Sequence, residues 1–223
     1  MTDLSGAKVV VTAADRYMGP AIAARFGAAG AEIVADTGAL ASAADVEALA
    51  QRAGPTDVLI ANFAQPPLTA AVDTIEDGDW FALFDSLVHP LMRVVRHFAG
   101  AMKEAGSGKI IAITSAAPLR GIPHASGYCA ARGAQNAFIR AVGLELAKFN
   151  VQVNAIAQNY IKNDTYYPEG FITTDKFKAH LQQMVPAKRV GEAGETAELA
   201  LYLALPRTRH MVGQVIPLAG GWV

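Results

Sequence analysis

Val9-Val10-Val11-Thr12-Ala13-Ala14-Asp15-Arg16-Tyr17-Met18-Gly19-Pro20 reads as a short β-branched strand, a turn, and the start of a helix. An apolar run with no polar alternation is the pattern of a strand buried on both faces, as in a parallel sheet. Similar runs recur outward from it at Ile33-Val34, Val58-Leu59-Ile60, Ile110-Ile111-Ala112-Ile113, Val151-Gln152-Val153-Asn154-Ala155-Ile156 and Val215-Ile216. Helix-like segments separate them, over residues 19–29, 43–52, 80–104, 126–149 and 196–205. Strands alternating with crossover helices predict an α/β fold, a Rossmann-like doubly wound parallel sheet flanked by helices. At 223 residues the chain is nearer to one domain than two, taking ~150 residues as the usual domain size. A single domain over 1–223 is therefore expected. Residues 157–174 lack clear periodicity. Following a strand end on the ligand side of such a sheet, they are expected to be a binding loop or lid, with a purely structural loop as the alternative.

Composition limits the function classes. Hydrophobic residues make up 52% of the chain and charged residues 17%, below the roughly 25% charged of an average domain, which supplies a large core and excludes intrinsic disorder. Nineteen Lys+Arg against twenty Asp+Glu give a net charge of −1. That balance offers no electrostatic attraction for nucleic acid or for an anionic membrane. The first residues carry no basic and apolar leader, and no apolar run reaches the ~18 residues of a membrane span. The single cysteine, Cys129, excludes an internal disulfide, fits a reducing compartment and reads as a small packing residue. The expectation is a soluble cytoplasmic protein. His89, His97, His180 and His210 have no zinc-ligand spacing, so no metal is expected.

The turn after the first strand lies where the short-chain dehydrogenase/reductase superfamily places Thr-Gly-x-x-x-Gly-x-Gly. Thr12 and Gly19 match, whereas Ala13 and Tyr17 stand at the other two glycine positions. Those glycines let the backbone approach a pyrophosphate. A tyrosine, with ~150–250 Å² of buried ring surface, instead fills that volume. A nucleotide site is thus not expected, while an aromatic wall for a small pocket is. Arg16 and Asp36 point the other way, one toward the 2′-phosphate of NADPH and one toward the ribose of NAD. They favour different cofactors, and each also reads as an ordinary turn or surface residue. Between Asp36 and Asp57 there is one helix-like segment, where the superfamily usually has a helix, a strand and a second helix.

The strongest constellation is Ser115, closing the run that begins at Ile110, with Tyr128 and Arg132 thirteen and seventeen residues later. Residues four apart share one helix face, so Tyr128 and Arg132 can meet over one pocket. Serine followed by Tyr-x-x-x-Lys is the catalytic signature of the same superfamily, and here arginine replaces the lysine. A tyrosine acting as a base near neutrality must hold its proton about 3–4 kcal/mol less tightly than free tyrosine does. A nearby guanidinium favours that, and it stays protonated throughout rather than joining a proton relay. The pair therefore suits proton removal without hydride transfer; a packing or cation–π contact is the plain alternative. His124, four residues before Tyr128, is a rival base or a rim residue.

Degraded phosphate glycines, an aromatic in their place and Ser–Tyr–Arg together resemble the halohydrin dehalogenases, relatives of the short-chain dehydrogenases that bind no nicotinamide. The resemblance implies no cofactor and a carbon–halogen lyase, closing vicinal haloalcohols to epoxides with halide release and opening epoxides with azide, cyanide or nitrite. It implies a halide site built from Tyr17 and the stretch Gln158, Asn159, Tyr160 and Ile161, where consecutive backbone N–H groups can form an anion nest. It also implies that Tyr167 lines the substrate pocket. Phe63 and Ile122 are possible neighbours, or ordinary core. A homotetramer paired through the helices over 80–104 and 126–149 is implied as well. One departure is visible: some relatives place an acid one position after the asparagine at Asn62, where this chain has Phe63, so any polar relay to Arg132 must differ. An NAD(P)-dependent dehydrogenase with an altered glycine loop, or a non-catalytic binding protein of this fold, are the other two readings.

Overall fold

The computed structural model describes residues 3–223. Six strands, β1 (Lys8–Val11), β2 (Glu32–Ala35), β3 (Val58–Asn62), β4 (Gly108–Ser115), β5 (Val151–Gln158) and β6 (Val215–Leu218), form one parallel sheet in the order β2-β1-β3-β4-β5-β6. All six runs read from the sequence become strands. The chain leaves β1 for one neighbour and returns to the other, and the crevice beyond the strand ends at such a reversal is where doubly wound sheets bind ligands.

Each face of the sheet has its own core. Helices α2 (Ala43–Ala53), α3 (Asp77–Ala105) and α5 (Ser126–Leu146) cover one face, burying Leu49, Leu87, Leu91, Phe98 and Ile139 over β3, β4 and β5. Helices α1 (Gly19–Ala28) and α8 (Ala193–Ala204) cover the other with Ile22, Phe26, Ala200 and Leu201. Every residue of β3, β4 and β5 is buried, which explains why their sequences are near-continuous apolar runs.

Residues 159–174 are the expected loop apart from one helical turn, and a full helix follows them. The turn is α6 (Glu169–Ile172), and the helix beyond the loop is α7 (Asp175–Met184), which the sequence reading did not anticipate. Thr174 caps α7 by accepting the Phe177 N–H at 3.3 Å. Only Phe177 and Leu181 of that helix are buried, so its apolar stripe is too thin to stand out as a 3.6-residue period. They join Tyr160, Val185, Ala219 and Trp222 in a third, smaller core. A one-turn helix, α4 (Ala117–Arg120), follows β4 directly. Among the described residues no helix is long and apolar enough to cross a membrane, and no group of three or more potential metal ligands comes together.

Candidate active site

Thr12, at the end of β1, is bolted to β3: its hydroxyl accepts the Asn62 N–H at 2.9 Å and donates to the Asn62 carbonyl at 3.1 Å. The Asn62 side chain in turn donates to the carbonyls of Ala13 and Arg16 at 3.1 and 3.2 Å, which fixes the turn between them. Ala13 and Tyr17 have φ of +45° and +58°. The two positions that lost glycine have therefore kept the left-handed backbone for which glycine is suited, at about 1–2 kcal/mol each. Gly19 has no such freedom to change, because a Cβ there would lie 2.2 Å from the Ala13 carbonyl oxygen.

This backbone aims Tyr17 inward. Its ring packs against Tyr166 at a centroid distance of 5.3 Å, and its hydroxyl accepts a hydrogen bond from Gln158 Nε2 at 2.9 Å. Thr196 orients Gln158 by donating to its Oε1 at 2.9 Å. The two residues that argued for a nucleotide are engaged elsewhere. Asp36 pairs with Arg52 at 2.8 Å and accepts the Gly38 N–H at 3.2 Å; Arg16 pairs with Asp15 at 3.2 Å and reaches the Thr37 carbonyl at 3.4 Å.

Ser115 is the last residue of β4, and its Oγ accepts the Ala117 N–H at 3.1 Å as the chain turns into α4. Asn136 on α5 donates to the Ser115 carbonyl at 3.1 Å, tying that strand end to the helix that carries Tyr128 and Arg132. Arg132 is completely buried, and among the described residues it has no carboxylate partner. Its donors go to neutral oxygens: Nε to the Tyr128 hydroxyl at 3.1 Å, one terminal nitrogen to the Phe63 carbonyl at 3.1 Å and Gln135 Oε1 at 2.8 Å, the other to the Tyr166 hydroxyl at 2.8 Å. Gln135 is held by donating to the Leu87 carbonyl at 2.7 Å. Burial works against the guanidinium charge, but the phenol oxygens of Tyr128, Tyr166 and Tyr17 outweigh it and push the Arg132 pKa further up. Burial pushes the Tyr17, Tyr166 and Tyr167 hydroxyls above the ordinary tyrosine value, with Arg132 opposing it for the first two.

In front of this cluster lies a cavity of about 70 Å³ lined by Tyr17, Ser115, Ile122, Tyr128, Gln158, Asn159, Ile161 and Tyr167, together with Pro67, Ala117, Asn163 and Tyr166. That is about half of the ~150 Å³ pocket that admits benzene, a volume for a small molecule. The fold thus brings together eight of the residues singled out in the sequence, with Arg132 directly behind the phenol wall.

Two expectations need correction, and Phe63, read as either a cavity neighbour or ordinary core, is core. Tyr160 does not line the cavity: at φ +53° its side chain turns to the opposite side, stacking on Tyr167 at 5.5 Å and bonding His180 Nε2 at 2.9 Å. The backbone nest over 158–161 is not formed either. The Asn159 N–H goes to the Leu218 carbonyl at 3.1 Å and the Tyr160 N–H to Asn159 Oδ1 at 2.9 Å, leaving the Ile161 N–H as the one without a partner among the described residues. Phe63 contributes its carbonyl to Arg132 while its side chain packs in the core. His124, the rival base, lines a separate groove with Trp80 and Leu83.

Tyr166 was missed. Its hydroxyl accepts from Arg132 and from the Gln65 N–H at 3.0 Å, and donates to the Gln65 carbonyl at 2.8 Å. No local spacing marks it, since it lies thirty-four residues from Arg132. The loop that presents it is pre-set by Asn163, whose Oδ1 accepts the Thr165 and Tyr166 N–H groups at 2.9 and 2.8 Å.

Comparison with known proteins gives two kinds of relative. The family model described as Enoyl-(Acyl carrier protein) reductase matches residues 3–223. A 3-oxoacyl-(acyl-carrier-protein) reductase of Chlamydia muridarum is 30% identical over 178 residues, covering 80% of this chain and 70% of that protein. A solved structure described as a dehalogenation enzyme superposes with a TM-score of 0.91 at 27% identity, covering 99% of both chains. A halohydrin dehalogenase bound to ethyl (2S)-oxiran-2-ylacetate superposes with a TM-score of 0.87 at 27% identity, covering 96% of each.

Proposed function

The chain belongs to the short-chain dehydrogenase/reductase superfamily, and from that premise we propose that it uses the fold without a nucleotide, as a lyase that closes vicinal haloalcohols to epoxides. The observation that carries this reading is the completely buried Arg132, bonded to the Tyr128 hydroxyl beside a small cavity, with Tyr17 filling the turn where a phosphate would lie. Two structural neighbours described as dehalogenases support it.

Ser115 would orient the substrate hydroxyl, and Tyr128 would take its proton with the guanidinium of Arg132 facing the phenolic oxygen. The alkoxide then attacks the adjacent carbon and the halide leaves with the electrons of the carbon–halogen bond. Ring closure within one molecule already benefits from proximity, so deprotonation, alignment and a place for the halide are what the protein must add. The Tyr17 hydroxyl, kept protonated by burial, and the free Ile161 N–H are the donors we assign to the halide. In reverse, a small anion such as azide, cyanide or nitrite in the same place would open an epoxide.

The test is halide release from 1,3-dichloro-2-propanol by purified protein stripped of nucleotide. Release without added cofactor is expected, falling by about 10²–10⁴-fold in Tyr128→Phe, the usual contribution of a positioned base. More than a few per cent of activity in that variant would sink the mechanism. The second reading, an NAD(P)-dependent reductase, is favoured by the acyl-carrier-protein reductase relative. It requires nucleotide-dependent carbonyl reduction with no halide released.

A further inference from the structure

Three phenols besides Tyr128 line the cavity, and they spend their protons differently. The Tyr166 hydroxyl donates to the Gln65 carbonyl at 2.8 Å and the Tyr167 hydroxyl to Asn159 Oδ1 at 2.7 Å. The Tyr17 hydroxyl accepts from Gln158 Nε2 at 2.9 Å and, among the described residues, has no acceptor for its own proton. The reason lies one step further from the cavity, at Thr196 in the first turn of α8. A helical threonine commonly bonds the carbonyl one turn back. Thr196 instead reaches across to β5: it is completely buried, and Gln158 Oε1 at 2.9 Å is the one partner its hydroxyl has among the described residues. Turning the amide over would place Nε2 against that hydroxyl and leave a buried proton without an acceptor, which is costly in a dry interior. Thr196 therefore donates to Oε1, the amide nitrogen faces Tyr17, and the Tyr17 O–H is directed away from Gln158.

We infer that Thr196 is a positioning residue for a bound anion: through Gln158 it sets the direction of the Tyr17 hydroxyl, so that the O–H enters the cavity as a donor for halide or another small monovalent anion. That the physiological anion is a halide rests on the lyase reading. Thr196 does not itself line the cavity, so it acts on the anion only by way of Gln158 and Tyr17. With valine in its place the amide is free to turn, Gln158 Oε1 takes the Tyr17 proton, and the cavity loses that donor. Valine keeps the shape of threonine and loses its hydroxyl, whereas serine keeps the hydroxyl and loses the methyl. Orientation and packing thus predict opposite rankings for the two.

The experiment is a bromide titration by calorimetry without substrate, at fixed pH and ionic strength. It compares wild type, Thr196→Val, Thr196→Ser, Tyr17→Phe and the double variant Thr196→Val/Tyr17→Phe. Thr196→Val and Tyr17→Phe are each expected to weaken Kd by about tenfold, the worth of one hydrogen bond to a charged group. Thr196→Ser is expected to bind as tightly as wild type. The double variant is expected to be no weaker than Tyr17→Phe, because the hydroxyl on which Thr196 acts is already gone. A wild-type Kd in Thr196→Val overturns the inference. So does a serine variant as weak as the valine one, a further loss in the double variant, or no bromide binding by wild type. Should Thr196→Val fail to fold by circular dichroism, Thr196→Ala carries the same expectation. Halide release from 1,3-dichloro-2-propanol separates this inference from the reading it builds on. Release by a protein whose Thr196→Val variant binds bromide normally removes the inference alone. The expected Kd pattern in a protein that releases no halide keeps the inference and removes the lyase reading.

Discussion

At the scale of single residues, the proposed chemistry turns on the buried guanidinium of Arg132. Leaving a buried charge without its partner costs about 3–5 kcal/mol, and here four neutral oxygens share the task usually given to a carboxylate. Phe63 stands where some relatives carry an acid, and Tyr166 supplies an oxygen from another part of the chain. Tyr166→Phe removes that oxygen and leaves the Gln65 N–H and carbonyl without the bonds they make to it. We expect a loss of about 1–3 kcal/mol of stability in urea unfolding. Halide release should fall chiefly in kcat, because Arg132 is then free to drift from Tyr128. Wild-type stability and kcat in this variant would show that Tyr166 is no strut. Four-residue spacing put Arg132 and Tyr128 on one helix face, because helix geometry is local, while the resemblance to the dehydrogenase signature singled them out.

Among the elements, the β1–α1 turn and the loop after β5 define the cavity from two sides. The turn keeps a glycine backbone under non-glycine side chains, with φ of +45° at Ala13 and +58° at Tyr17. Its third glycine is indispensable for a packing reason. In Gly19→Ala the new Cβ meets the Ala13 carbonyl, which cannot retreat because it already accepts from Asn62 Nδ2 and the Arg16 N–H. We expect a lower urea midpoint with an unchanged slope, corresponding to about 1–3 kcal/mol. An unaltered midpoint would mean that the turn relaxes more easily than its hydrogen bonds imply. The loop after β5 shows where sequence periodicity fails. Tyr160 was grouped with Gln158, Asn159 and Ile161 by the family resemblance, yet a left-handed backbone at φ +53° sends its ring into another core. Helix α7 was invisible because two buried side chains do not make a periodic stripe.

For the whole molecule, the question is whether the crevice at the sheet reversal retains any use for a nucleotide. Tyr17 stands at a glycine position of the turn with its hydroxyl on Gln158, Asp36 is paired with Arg52, and Arg16 is paired with Asp15. We expect no thermal stabilisation by NAD+ or NADP+ at ~1 mM. A site with Kd of about 10 μM would add about 2.7 kcal/mol at that concentration, raising Tm by about 5–10 °C in a chain of this size. A shift of that order would favour the reductase reading. The sequence by itself determined the parallel sheet and its six strands, because strand burial is written in neighbouring residues, while the Ser115–Tyr128–Arg132 set was picked out by its resemblance to a family signature. Only the tertiary structure decided what surrounds Arg132, which way Tyr160 faces, and how small the cavity is. Those depend on side chains brought together across tens of residues, and on backbone angles that a residue's identity does not fix.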